Sequence, residues 1–193
     1  MFEPLVPFIH QNLTKHHELY SSQCKAEYWE EIFALSLKQS GFGSTWKPDF
    51  NHKSGVDQTM DNGIRISNKG GSIIKNIISF SGSRLTKYKT LNEKLEFLSD
   101  KKEDYVLCLA TDKDEWKKGS KRYYFVVINS DTLNYHEQEW EETYGKQTNI
   151  GQLTGWKCSS EVFNAKIIRS NSDQLWTEMK LDYYEEFYEI TIG

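Results

Sequence analysis

The sequence is short of long apolar runs, of cysteine and of proline, and each shortage excludes a class of protein. No stretch approaches the roughly 18 apolar residues of a membrane span, and Met1 to Asn12 lacks the basic lead and apolar core of a signal peptide. The 3 cysteines are widely spaced and odd in number, which argues against a disulfide framework or a paired zinc site. The 3 prolines argue against Pro-rich linkers. We therefore expect a single domain over residues 1–193, in the reducing cytoplasm and without a membrane partner.

Acidic residues are missing from one stretch of an otherwise acidic chain. The formal net charge of −4 argues against a purely electrostatic nucleic-acid binder. Between Asn62 and Asn92, however, there is no acid, and the basic residues of the stretch are Arg65, Lys69, Lys75, Arg84, Lys87 and Lys89. This distribution predicts one basic region on the molecule, with ordinary solvated lysines as the alternative interpretation.

Hydrophobic periodicity predicts a mixed central sheet flanked by helices, which is an α/β (α+β) fold. Thr90 is expected to cap a helix over Leu91 to Leu98. Ser72 to Phe80 is expected to be one strand or buried segment that ends at Ser81-Gly82-Ser83, and Gly151 to Ser160 is expected to be a loop. The other predicted helices are Phe2 to Tyr20, Lys25 to Gln39 and a short one around Leu133 to Tyr144. The other predicted strands are Tyr105 to Ala110, Arg122 to Ile128 and Ala165 to Arg169.

Asp61-Asn62-Gly63 is a strong hairpin signal between two short predicted strands. A two-residue turn sets Asp57 opposite Asn68, whereas a three-residue turn with Gly63 left-handed sets Asp57 opposite Ser67. In the second form, the side chains that share the face of Asp57 are Arg65, Ser67 and Lys69. The hairpin would then present a carboxylate, a hydroxyl and an ammonium group together. Phosphodiester hydrolysis uses such groups, because a carboxylate holds Mg²⁺ and a lysine positions or helps to deprotonate the attacking water.

Asp57, the hairpin and then Ser67-Asn68-Lys69 resemble the PD-(D/E)XK nuclease core, the fold of most type II restriction endonucleases. The resemblance implies a restriction-endonuclease-like core in which Asp57 holds metal, Lys69 serves the attacking water and Ser67 orients the site. It also implies Mg²⁺ as the cofactor and double-stranded DNA as the substrate. A homodimer follows from the resemblance too, since a palindromic site matches a two-fold protein.

The usual motif carries an acid where Ser67 stands, and this departure leaves the second metal ligand open. Some enzymes of the superfamily have Ser there and recruit the second acid from a nearby helix. The resemblance therefore implies Glu93 or Glu96 as that ligand, with Glu30 or Glu31 from the preceding helix as alternatives. Pro48-Asp49 is a literal Pro-Asp, so Asp49 competes with Asp57 as the motif acid. We prefer Asp57, because it lies on the hairpin opposite the lysine strand.

Two polar segments predict contacts with DNA outside the hairpin. Ser81 to Lys89 combines hydroxyls and bases ahead of a helix, which suits phosphate contacts, and Arg84 is alternatively a reader of guanine. Ser170 to Gln174 contains amides of the kind that pair with adenine, so Gln174 is a candidate base contact, although a helix cap within this loop is the favoured interpretation. The basic residues expected on the DNA are Arg65, Lys75, Arg84, Lys87 and Lys89.

These expectations describe one nuclease domain that hydrolyses double-stranded DNA at specific sites with Mg²⁺. One alternative is a DNA-binding module without catalysis, which would use the same basic face to follow the phosphate backbone. Another is a protein-interaction or inhibitor protein, which would suit the acidic second half of the chain. Metal-dependent cleavage separates the first hypothesis from the second, and the salt dependence of binding separates both from the third.

Overall fold

The computed structural model describes residues 1–46, 56–100, 102–146 and 150–193. Within these ranges eleven strands form one mixed sheet, in which a single pair is parallel and the other strand pairs are antiparallel. Helices flank this sheet, so the predicted α/β fold is confirmed.

Two helices precede the sheet, α1 (Val6–Leu19) and α2 (Ala26–Gln39). Pro7 lies in the first turn of α1, where its missing N–H has no helical partner to lose, so it does not break the helix. The remaining elements are β1 (Ser44–Trp46), β2 (Gln58–Met60), β3 (Arg65–Ile74), β4 (Ile77–Arg84), α3 (Leu91–Ser99), β5 (Tyr105–Asp112), α4 (Lys113–Lys117), β6 (Lys121–Asn129), β7 (Glu141–Tyr144), β8 (Leu153–Ser159), β9 (Phe163–Ile168), β10 (Gln174–Lys180) and β11 (Glu186–Ile192).

The order of the strands across the sheet is β11-β6-β5-β3-β4-β10-β9-β8-β7, with β2 beside the start of β3 and β1 beside β2. One hydrophobic core lies between this sheet and helices α1 and α2, and it includes Trp29, Phe33, Ile66 and Phe125. A second core occupies the other face and joins residues of β5 and β6 to residues of β8, β9 and β10. The middle strands β3 and β5 are therefore covered on both sides, and the sheet position of Ser67 to Lys69 is fixed by both cores.

Ser72 to Phe80 is not one strand, as the sequence predicted, but the facing ends of β3 and β4. The chain reverses at Lys75 and Asn76, whose φ angles of 49° and 63° are both left-handed. Two successive left-handed residues make the tight turn that suits a two-residue hairpin. Neither is glycine, so the turn has no strong sequence signal, and Ser81-Gly82-Ser83 continues β4 rather than ending it.

Two predictions for the second half of the chain are also wrong. The expected helix around Leu133 to Tyr144 is a pair of short 3-10 turns followed by β7. The expected loop Gly151 to Ser160 contains β8, which packs tightly against β9: a Cβ at Gly155 would lie 1.9 Å from the carbonyl oxygen of Ile167. By contrast α3, β5, β6 and β9 are confirmed, and α3 begins at Thr90 as predicted.

The described part of the chain contains no helix both long enough and apolar enough to cross a membrane. Its three cysteines are buried free thiols, in agreement with the prediction that they form no disulfide framework. Burial raises the pKa of the Cys24 thiol to about 12 and that of Cys158 to about 11, so both stay protonated and unreactive near neutral pH.

A buried lysine fixes the loop between β4 and α3. The ammonium group of Lys94 is 1% exposed and donates to the carbonyl oxygens of Leu85, at 3.1 Å, and Tyr88. It also meets the carboxylate of Asp173, from the β9–β10 connection, at 3.1 Å. A lysine is rarely this buried without partners for its charge. Lys94 therefore holds the predicted DNA-binding loop against a neighbouring hairpin.

We expect Lys94→Met to lower the free energy of unfolding by about 3 kcal/mol, because it leaves a part-buried carboxylate and two carbonyls without their donor. Urea denaturation followed by tryptophan fluorescence measures this change. Lys89→Met is the matched control, because Lys89 is exposed in the same loop, and its effect should stay within about 0.5 kcal/mol. Equal effects of the two substitutions would show that Lys94 does not stabilise the loop.

Candidate functional site

The predicted catalytic residues lie where β3 lacks a strand on one edge. On one side β3 pairs with β5 from Ile66 to Ile73. On the other side it pairs with β2 at Arg65 and Ile66 and with β4 only from Gly71 onward. Residues 67–70 therefore have no strand partner on that edge within the described part of the chain. Backbone donors in this gap must find other acceptors.

The Asp57 carboxylate fills this gap. Its Oδ2 accepts the backbone N–H of Asn68 at 2.5 Å and the hydroxyl of Ser67 at 3.2 Å. The turn is of the three-residue form, with Gly63 left-handed at φ 87° and the Met60 N–H donating to the Ile64 carbonyl oxygen. The pairing of Thr59 with Arg65 and of Gln58 with Ile66 is the register of the second predicted turn, which is confirmed. At Asp57 the N–H donates to the Ile66 carbonyl oxygen at 2.8 Å, and the carboxylate reaches Ser67.

Lys69 completes the cluster from the next position on the same face. Its Nζ lies 3.9 Å from Asp57 Oδ2, and both side chains are about one quarter exposed, at 26% and 25%. The second carboxylate oxygen of Asp57, Oδ1, has no hydrogen-bond partner in the residues that the structure describes. Ser67 is only 1% exposed, so its hydroxyl orients the carboxylate and does not itself reach a substrate. The structure thus brings together Asp57, Ser67 and Lys69 as predicted, whereas Asp49 lies outside the described residues.

A pocket of about 70 Å³ opens beside Ser67 and Lys69. Its walls come from β3, β4, α3, the start of β5 and the segment after β6, and its polar lining residues include Ser83, Asp100, Glu103 and Ser130. The side chain of Ser130 is buried, and its hydroxyl has no hydrogen-bond partner in the described part of the chain. Sequence reasoning missed these residues, because they follow elements far apart in the chain and carry no motif.

Glu93 and Glu96, the two glutamates expected to complete the metal shell, lie outside the pocket beside Lys69. Glu93 forms a capping box at the start of α3: its Oε2 accepts the N–H of Lys89 at 2.6 Å and that of Thr90 at 3.0 Å. These bonds hold the pKa of Glu93 below its ordinary value. Glu96 is exposed one turn later, and neither glutamate lines the pocket beside Lys69. Glu30 contributes its backbone carbonyl oxygen to Gln58 at 3.3 Å, and Glu31 is exposed on α2.

The residues of the predicted basic region do not lie together but at separate places along the sheet. Arg65 forms an ion pair with Asp104 at 3.0 Å and so joins β3 to the start of β5. Lys75 is six residues beyond Lys69 on the same strand and its turn, about 20 Å away at about 3.3 Å per residue. It therefore lies too far along β3 to share a phosphate contact with Lys69.

The other predicted DNA contacts lie around the loop after β4. Arg84, Lys87 and Lys89 are exposed, and Lys87 Nζ lies 5.0 Å from the centre of the Tyr88 ring. Gln174 is not on a loop as predicted but in β10, where it is buried; its amide accepts from Arg84 at 3.3 Å and donates to the Gly82 carbonyl oxygen at 2.6 Å. Gln174 therefore orients Arg84 and has no free edge for a base. No helix follows Ser170 to Gln174, so the favoured cap is also wrong.

A larger groove of about 440 Å³ lies on the sheet formed by β7 to β10 and was not predicted. Lys157 and Lys166 line it, paired with Glu141 at 3.0 Å and Glu178 at 3.4 Å. The buried indole N–H of Trp176, which also lines the groove, has no partner in the described part of the chain. The positive side chains here are already neutralised by acids, so this groove is a less favourable surface for DNA than the loop after β4.

Comparisons of the chain with protein-family models, with curated proteins and with solved structures find no match. The resemblance to the PD-(D/E)XK nucleases therefore stays a prediction from the motif.

The donor set near Asp57 fits a weakly held hard cation. Mg²⁺ keeps several waters and commonly binds through one or two carboxylates and the substrate phosphate. Asp57 offers such a carboxylate with one oxygen fixed and the other free to coordinate. Among the described residues, no group of three or more His, Cys, Asp or Glu side chains is placed to hold a metal ion.

We expect Glu93 to act as a pH-dependent helix cap. Because its pKa is lowered in the folded chain, its stabilisation is fully present above the ordinary value of 4.5 and is lost as the pH falls through the lowered pKa. Glu93→Gln keeps an acceptor at every pH, so the wild type should have the higher Tm at pH 7 and lose that advantage near pH 3. Thermal unfolding at both pH values measures the difference, with Glu96→Gln as the control. A difference that does not change with pH would refute the capping role of the charge.

Proposed function

We propose that this protein is a Mg²⁺-dependent endonuclease acting on double-stranded DNA at specific sites. The observation that carries the proposal is the cluster of Asp57, Ser67 and Lys69 at the unpaired part of β3. The Asp57 carboxylate stands 3.9 Å from the Lys69 ammonium group, both side chains are partly exposed, and Lys69 lines a pocket. Exposed basic side chains on the loop after β4 support a polyanionic substrate.

The residues of the cluster have distinct tasks. Asp57 Oδ1 is available to hold the ion, while Ser67 and the Asn68 N–H fix the carboxylate through Oδ2. A bound Mg²⁺ supplies Lewis-acid polarisation of the phosphate and lowers the pKa of a coordinated water. Lys69 positions the attacking water and offsets the negative charge that develops on the phosphoryl oxygens. Its ion pair with Asp57 keeps the ammonium group aimed at the same point.

Positioning of the substrate is assigned to the loop that Lys94 anchors. Lys87 and Lys89 extend from it into solvent, and Arg84 is oriented by Gln174 at its base. Such a fixed loop loses little conformational entropy on contact with phosphates. Recognition of a palindromic site would require two copies of the chain related by a two-fold axis, so the proposal includes a homodimer on DNA.

We expect the purified protein to cut mixed phage or genomic DNA into discrete fragments with Mg²⁺ and not with EDTA. Asp57→Asn and Lys69→Met should each reduce cleavage by about a hundredfold or more, since each removes a group that acts on the reacting phosphate. Asp57→Asn keeps an acceptor for the Asn68 N–H and so preserves the fold. Gel electrophoresis of timed digests gives the rates.

Asp114→Asn is the matched control, because Asp114 also pairs with a lysine, Lys117, at 3.6 Å on α4. It should leave cleavage unchanged. Intact DNA under all conditions, with a folded protein, would contradict the proposal. If that protein still bound DNA with a steep salt dependence, the result would favour the non-catalytic DNA-binding module.

We expect Lys87→Ala and Lys89→Ala to weaken DNA binding for all sequences alike. Each removed phosphate contact should reduce the slope of log K against log[salt] by about 1. Fluorescence anisotropy with the cleavage-deficient Asp57→Asn protein measures this between about 50 and 200 mM salt. Lys117→Ala on α4 is the control and should leave the slope unchanged. Unaltered slopes for both loop variants would show that DNA does not contact this loop.

A further inference from the structure

One wall of the pocket beside Lys69 carries a buried hydroxyl group, that of Ser130. Ser130 is 3% exposed and lines the pocket, yet its hydroxyl has no partner in the described part of the chain. A buried hydroxyl without a hydrogen bond costs on the order of 1–3 kcal/mol. Such groups are usually satisfied by a bound water or ligand. At about 70 Å³ the pocket is large enough to hold bound water.

Five carboxylates lie in or near the segment that forms one wall of this pocket, and one of them, Asp104, is paired with Arg65 at 3.0 Å. Glu93 is committed to the capping box, and Glu96 is exposed outside the pocket. Asp100 lines the pocket, but its side chain is 73% exposed and pairs with Lys102 at 3.7 Å. Glu103 also lines the pocket and is half-buried, and its carboxylate has no hydrogen bond or ion pair within the ranges that the structure describes. Among the described residues, Glu103 is thus the uncommitted acid of the pocket that Ser67 and Lys69 also line.

Asp104 fixes the backbone on which Glu103 stands. Its N–H donates to the Arg65 carbonyl oxygen at 2.8 Å, and its own carbonyl oxygen accepts the Ser130 N–H at 3.0 Å. Its carboxylate accepts the Arg65 N–H at 2.8 Å and pairs with the Arg65 guanidinium. Glu103 and Ser130 are therefore held to the same point at the start of β3, two residues before Ser67. Burial, with a smaller contribution from the Glu103 charge, raises the pKa of Tyr135 on the pocket wall.

We propose that Glu103, rather than Glu93 or Glu96, supplies the second carboxylate for a divalent cation beside Asp57, and that Ser130 binds a water of that ion. The inference rests on the proposed function, since it assigns a ligand of the same site. Ser67 connects the two carboxylates: its hydroxyl donates to Asp57, and it lines the pocket with Glu103. Two carboxylates, waters and a substrate phosphate make a shell that Mg²⁺ accepts.

The test is Mn²⁺ binding to the whole protein without DNA, followed by the loss of the free-ion electron paramagnetic resonance signal. We expect one bound ion, with a Kd that rises about tenfold or more in Glu103→Gln and in Asp57→Asn. Glu96→Gln should leave the Kd within about twofold. Ser130→Ala should raise the Kd without lowering the Tm, because its hydroxyl has no protein partner to lose. That combination separates a ligand site from a general loss of folding.

An unchanged Kd in Glu103→Gln, a Kd that rises in Glu96→Gln instead, or a wild type that binds no Mn²⁺ would each overturn the inference. Cleavage of DNA is measured on the same samples. Mg²⁺-dependent cleavage that needs Asp57 but not Glu103 overturns the inference and leaves the nuclease proposal intact. Glu103-dependent Mn²⁺ binding with uncut DNA supports the metal site and counts against the nuclease. Absence of both binding and cleavage removes both proposals.

Discussion

The backbone N–H of Asn68 must be satisfied at a point where, among the described residues, one edge of β3 has no strand partner. β2 reaches only Arg65 and Ile66, and β4 begins its pairing at Gly71. Leaving that N–H unpaired in a buried strand would cost about 1–3 kcal/mol. The Asp57 carboxylate replaces the missing strand at 2.5 Å. The position of the candidate site therefore follows from the sheet topology, because the gap needs a side-chain acceptor and Asp57 fills it beside Lys69.

The charge of Asp57 goes beyond what the backbone requires. An asparagine at this position would accept the same N–H through its amide oxygen, but it would neither attract Lys69 nor hold a cation. Among the described residues, only Oδ2 accepts hydrogen bonds. In the proposed nuclease the Asp57 side chain would join this structural task to metal binding, and the bonds to Oδ2 restrict its movement. A fixed ligand of this kind lowers the reorganisation needed when a charge develops nearby.

Short-range sequence signals, such as turn residues and helix caps, predicted the elements whose structure depends on residues close together in the chain. The turn residues Asp61-Asn62-Gly63 gave two registers, and the pairing of Asp57 with Ser67 followed from one of them. Thr90 predicted the start of α3. The wrong secondary-structure predictions concern segments whose structure depends on residues far apart in the chain or on an unusual turn. The reversal at Lys75 and Asn76 uses left-handed residues that are not glycine, and β8 is a strand because β7 and β9 pair with it on both sides. Tertiary pairing overrides weak local preference in such segments.

The placement of Glu93 and Glu103 shows why the second carboxylate that we propose could not be assigned from the sequence. Thr90 and Glu93 have the spacing of a capping box, and a carboxylate that accepts two backbone N–H groups has few lone pairs left for a metal. The spacing of Thr90 and Glu93 is therefore an argument against Glu93 as a metal ligand. Glu103 belongs to no motif: it lines the same pocket as Ser67 because β5 runs parallel to β3, and Arg65 and Asp104 join the starts of the two strands. A parallel pairing needs a long crossover, so its contacts join residues far apart in the chain. Ser130 is brought to the same pocket by the next antiparallel strand, which explains how three elements without a shared sequence signal come to line it.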